Sequence, residues 1–192
     1  MARWEPNARE RLAEAALDLF LEQGYESTTV AEIAERAGLT KKTFFRHFAD
    51  KREVLFLGQD NLSRLFTDAI AGAPDTASSV DAVTAALLAV ATVFDADRRA
   101  WAARRHTVVT ANNDLREREL LKLAGLTDDM TEALHARGIP DPEAVVAAEL
   151  AGLAFRIAFA RWVTPSNRKP FDDLARTALR ELLAAAAELS PA

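Results

Sequence analysis

TVAEIAERAGLTKKTFFRHFADK, Thr29 to Lys51, is the stretch that decides how this chain folds. Val30, Ile33, Ala34 and Ala37 recur at i, i+3, i+4 and i+7, which lays one apolar stripe along a helix. Thr29 and Glu32 have the Thr-x-x-Glu spacing of a capping box, which fixes where that helix starts. Gly38 ends it and permits a sharp turn. Thr40 then caps a second helix that carries Lys41, Lys42, Thr43, Phe44, Phe45, Arg46, His47 and Phe48. Two short helices joined by a brief Gly-containing turn are the signature of a helix-turn-helix, whose second helix is expected to enter a DNA major groove.

Charge is distributed to match. The chain carries −5 overall, yet the segment from Arg36 to Arg52 holds Arg36, Lys41, Lys42, Arg46, Lys51 and Arg52 against Asp50 alone. That is a local +5, which leaves −10 on the remainder. A basic patch on an acidic body is aimed at a polyanion from one side. Most charge runs are only solvated helix faces; the coincidence with a capped helix-turn-helix favours DNA.

The segment from about Arg9 to Leu55 closely resembles the N-terminal DNA-binding domain of the tetracycline-repressor (TetR) family. The resemblance is carried by Ala15, Ala16, Leu19 and Phe20, by Gly24–Tyr25, Thr28–Thr29–Val30, Ile33–Ala34 and Ala37–Gly38, and by Thr43 to Phe48, closing on Lys51 and Leu55. It implies that Thr29, Arg46, His47 and Lys51 contact phosphate, with Lys51 helped by free N–H groups at the start of a fourth helix. Lys41, Lys42 and Thr43 hold early positions on the recognition helix and are the base-edge candidates. Thr40 and Phe45 complete the DNA-facing set, while Phe44 and Phe48 anchor the helix to its core. Phe45 departs from the family, which usually has a tyrosine there whose hydroxyl contacts phosphate. That bond cannot form here, and affinity falls by about 0.5–1.5 kcal/mol unless another donor compensates. On this reading Lys42→Ala relaxes specificity, whereas Lys51→Ala weakens all sequences and flattens the salt dependence. Arg3, in an N-terminal arm, is a weaker candidate for a minor groove than for a solvated tail.

Ala and Leu dominate the 49% hydrophobic content, and helix signals are dense while strand signals are nearly absent. The reading is all-α, about nine helices. A three-helix domain spans residues 1–52, and a helical ligand-binding and dimerisation domain spans 53–192. Asn7 caps the first helix and Gly24 stops it. Asp50 with Glu53 opens a fourth helix that runs to about Ala71. Two more follow, from Val80 to Asp95 and from Arg98 to about Ala111. A long one then continues through Gly125 to near Gly138. Asp141, with Pro142 at the first helical position, opens the eighth, and Phe171 to Leu189 makes the ninth. Beyond Leu55 the family resemblance rests on helix count and order alone.

In the C-terminal region Ala144, Ala147, Ala148, Ala151, Ala154 and Ala158 form small-residue patches that allow close helix approach, and Leu174, Leu179, Leu182 and Leu183 recur on the last helix. The resemblance implies a homodimer through these last two helices; the competing reading is that they fill the monomer's own core. Phe155, Phe159 and Trp162 make an aromatic stripe, and Phe94, Trp101, Met130 and Leu134 lie on other helices. By spacing alone such a stripe is core. The resemblance instead implies an unidentified small-molecule ligand among Phe94, Trp101, Arg104, Met130, Leu134, Phe155 and Phe159, whose binding releases a double-stranded DNA operator. Arg104, His106 and Arg156 are equally readable as salt-bridging residues.

The three histidines are scattered and no catalytic or nucleotide-binding motif is present, so an enzyme, a cofactor and a metal site are not expected. Without cysteine there is no disulfide and no thiol-based sensing. Nothing resembles a signal peptide, and the apolar run from Ala144 to Val163 is broken by Glu149, Arg156 and Arg161, so a cytoplasmic protein with no membrane partner is expected. The alternatives are a constitutive DNA binder without ligand and a helical protein-interaction module.

Overall fold

The computed structural model describes residues 7–189, which place Arg3 outside the described residues. Among them are nine α-helices and one 3-10 helix: α1 (Ala8–Gln23), α2 (Val30–Arg36), α3 (Lys41–His47), the 3-10 helix Arg52–Phe56, α4 (Gln59–Ala71), α5 (Ser79–Ala91), α6 (Ala96–Ala111), α7 (Asn113–Ala136), α8 (Glu143–Trp162) and α9 (Phe171–Glu188). The all-α expectation holds. No single described helix is long and apolar enough to cross a membrane.

The chain divides into two compact units, Met1–Gln59 with Arg104–Leu120, and Asp60–Ala103 with Leu121–Ala192. The first therefore takes in the end of α6 and the start of α7, which the sequence reading assigned wholly to the second domain. Arg104 ion-pairs with Glu14 at 2.8 Å and with Asp18. Arg105 donates to the Leu55 carbonyl at 2.6 Å and pairs with Glu119 at 2.9 Å, and Arg118 pairs with Glu53. Apart from Glu119, fourteen residues from Arg105, these partners lie fifty or more residues away and leave no local sequence signal.

The expected fourth helix is two elements. Val54, Leu55 and Phe56 are all buried. The segment tightens to a 3-10 turn. Leu57 then becomes extended, and Gly58 turns the chain at φ +92° before α4 begins. Pro142 is likewise not the first helical residue. It is the N-cap of α8, and the Asp141 carboxylate pairs with His135 at 2.9 Å instead of capping. The expected long helix is intact through Gly125.

In the second unit α8 packs along α9, and α5 packs on both. The alanines predicted to form a dimer face point into this core: Ala144, Ala148, Ala151, Ala154 and Ala158 are fully buried. Close helix approach is real but intramolecular. It is tightest at Gly152, where an added Cβ would lie 2.6 Å from the Thr127 methyl on α7. Thr127 is buried and β-branched, so it cannot swing away. Gly152→Ala should therefore lower stability by about 1–3 kcal/mol despite its higher helix propensity, read as a lower midpoint in urea.

Candidate nucleic-acid interface

Both caps of the helix-turn-helix form as the spacing predicts. The Thr29 hydroxyl accepts from the Glu32 N–H at 3.3 Å, and the Glu32 carboxylate accepts from the Thr29 N–H at 2.8 Å. Bonds from the Thr29 hydroxyl, the Thr29 N–H and Gln23 hold the Glu32 carboxyl below its usual range. Thr40 caps α3 by accepting from the Thr43 N–H at 3.1 Å. Between the helices Gly38 takes φ +65°, and the Leu39 N–H returns to the Ala34 carbonyl at 2.8 Å. Arg11, from α1, donates to the Ala37 carbonyl, so a cation closes the C-terminal end of α2.

Phe44 and Phe48 are buried on the inner face of α3, with ring centroids 5.4 Å apart. Thr43 and His47 are half-buried. Lys41, Lys42, Phe45 and Arg46 are exposed. Steps of about 100° per residue put Lys42 and Phe45 at the centre of this exposed face, with Lys41 and Arg46 on its flanks. Thr43 is half-buried, and its hydroxyl lies 3.0 Å from that of Thr40. Thr29 and Thr40 are exposed, but their hydroxyls already serve as caps.

The basic patch is smaller than its residue count. Arg36 is held by both carboxylate oxygens of Glu22, at 3.0 and 2.8 Å, and Arg52 pairs with Asp50 at 2.9 Å. Lys51 turns inward: its ammonium donates to the Tyr25 carbonyl at 2.7 Å and the Thr28 carbonyl at 3.0 Å, and lies 4.1 Å from the Tyr25 ring centroid. The expected free N–H groups beside it are also occupied, since Asp50 accepts from the N–H of Arg52 and of Glu53. Lys51 thus braces the loop between α1 and α2. Tyr25 itself is buried, which pushes its phenol up to about 12. Outward charge concentrates on Lys41, Lys42 and Arg46.

The residues predicted to line a ligand site lie in different surroundings. Met130 and Leu134 are fully buried, and Phe155 is nearly so. Phe94 and Phe159 are half-buried against the same core, 5.9 Å apart, and Trp101 is half-buried on α6. Arg104 belongs to the first unit, where Glu14 and Asp18 engage its guanidinium. The sequence reading missed Phe171 and Phe66. Phe171 stacks on Phe94 at 4.3 Å, and Phe66 meets Phe155 edge-on at 5.7 Å. They come from α9 and α4, so only the folded packing brings them to the stripe on α8.

A capped second helix, cation-faced and set on a three-helix base, has the geometry of a helix-turn-helix. Residues 12–56 match the family model described as bacterial regulatory proteins, tetR family. That match concerns the N-terminal domain and covers less than half of the chain. It is similar to the transcriptional regulator TcmR of Streptomyces glaucescens, at 42% identity over 43% of this chain and 36% of that protein. Similarity to YdeS of Bacillus subtilis is 42% over 36% of this chain and 34% of that one. The match thus spans about a third of the length of these relatives. The fold extends further. FadR of Bacillus subtilis, solved in complex with stearoyl-CoA, superposes with a TM-score of 0.62 at 17% identity, covering 91% of this chain and 97% of FadR. A regulator from Aquifex aeolicus superposes with a TM-score of 0.57 at 16% identity, covering 93% and 99%.

Proposed function

We propose that this protein is a homodimeric, sequence-specific transcriptional repressor that leaves its DNA operator when a small molecule binds. The observation that carries the DNA reading is the exposed face of α3, with Lys41, Lys42, Phe45 and Arg46 outward on a helix pinned by Phe44 and Phe48. One such helix makes few base contacts, so two half-sites and a two-fold dimer go with it. The outward side of α8 offers the surface: Val145 and Val146 are 42% and 53% exposed, and Leu150, Leu153 and Ile157 are half-buried along the same helix. Leu182 and Leu183 continue it on α9. A cytoplasmic location follows from DNA as the target.

Ligand control is supported by the half-buried rings of Phe94, Trp101 and Phe159, and by a fold that in FadR is complexed with an acyl-CoA. A second reading, a constitutive DNA binder, is favoured by the tight stack of Phe94 on Phe171 and the full burial of Met130 and Leu134.

The division of labour on α3 tests the proposal. Lys42→Ala should remove about 1–3 kcal/mol of discrimination at one base pair and leave scrambled DNA little changed. Arg46→Ala should weaken matched and scrambled sites alike and reduce the salt slope by about one. Equal losses from both variants on both kinds of DNA would contradict the assignment.

A further inference from the structure

We propose that Phe45 reads thymine, through its C5-methyl group, in the operator that the preceding reading requires. Phe45 is 49% exposed, and nothing requires an aromatic ring there for folding, because Phe44 and Phe48 hold α3 to its core. Its ring is nevertheless positioned. The Phe44 ring meets it edge-on at 5.5 Å, and the Lys41 ammonium lies 5.9 Å from its centroid. The two contacts fix its direction beside Lys42 at the centre of the exposed face.

The occupant is constrained by charge. Lys41, Lys42 and Arg46 surround the ring and are exposed, so the matching surface is anionic at its rim and apolar at its centre. A phosphate cannot satisfy a phenyl ring, which has no donor. In a major groove the apolar group on offer is the thymine methyl, and contact between it and Phe is a recognised pairing. Lys42, adjacent on the same face, suits the O6 and N7 acceptors of a neighbouring guanine. The α3 face is therefore matched to a thymine beside a guanine in each half-site.

The test uses the full-length protein and the site it selects from random duplex DNA. Each thymine is replaced in turn by deoxyuridine, which removes only the methyl group. Wild-type affinity should fall roughly fourfold at one thymine per half-site, the effect of exposing about one buried methylene. In F45A that penalty should vanish, while F45L, which keeps apolar bulk, should retain most of it. If F45A binds weakly, the same titration at lower salt brings it into range, because phosphate contacts strengthen there. A wild-type protein indifferent to every deoxyuridine, or a penalty that persists in F45A, would overturn the inference. Failure to select any site would instead overturn the DNA-binding reading itself, so the two outcomes are distinct.

Discussion

Phe171→Ala should lower the stability of the second unit by about 3–5 kcal/mol, the range for removing a fully buried aromatic side chain. Phe171 opens α9 and is 1% exposed. It stacks on Phe94 at 4.3 Å with planes 16° apart, and it meets Trp162 edge-on at 6.0 Å and Phe155 at 5.8 Å. The residues of α8 that face it, Phe155 and Trp162, are themselves buried, which limits collapse into the space. Against a typical total of about 5–15 kcal/mol, the loss moves the thermal midpoint by many degrees. Phe171→Leu should recover a good part of it. A loss below about 1 kcal/mol would mean that the ring cluster is loosely packed, which would favour a cavity for ligand over a filled core.

Lys51→Ala should cost about 2–3 kcal/mol, from two charge-assisted hydrogen bonds lost and two carbonyls left poorly satisfied. The ammonium closes the loop that ends α1 and leads to the Thr29 cap, and its contact with the Tyr25 face adds a cation–π term. Lys51→Met keeps the aliphatic stem and should lose nearly as much, which assigns the effect to the polar head. The inward geometry also predicts an unchanged slope of log affinity against log salt under conditions where the variant is folded. A slope lower by about 0.9 would place the ammonium on a phosphate after all.

Local chemistry made the helix-turn-helix legible from sequence. Both caps, the Gly38 turn and the buried positions of α2 and α3 follow from residues within four places of one another. Side-chain commitments were not legible. Arg36 counts as a cation until Glu22, fourteen residues away, claims it, and Lys51 counts as one until the Tyr25 and Thr28 carbonyls do. The alanine stripe of α8 was visible, but periodicity cannot say whether a small-residue face meets α9, α5 or another subunit. Packing decided it for the interior, and left Val145 and Val146 outside. The break at Gly58 had a local cue in the glycine itself, which takes φ +92°.

The most direct test is recovery of bound fragments from sheared host DNA, repeated over a salt series. Two-fold symmetric sites should be enriched, and their affinity should fall steeply with salt as Lys41, Lys42 and Arg46 of two subunits release counterions from the phosphates they neutralise. Weak binding without enrichment of any sequence, at every salt concentration, would contradict the account.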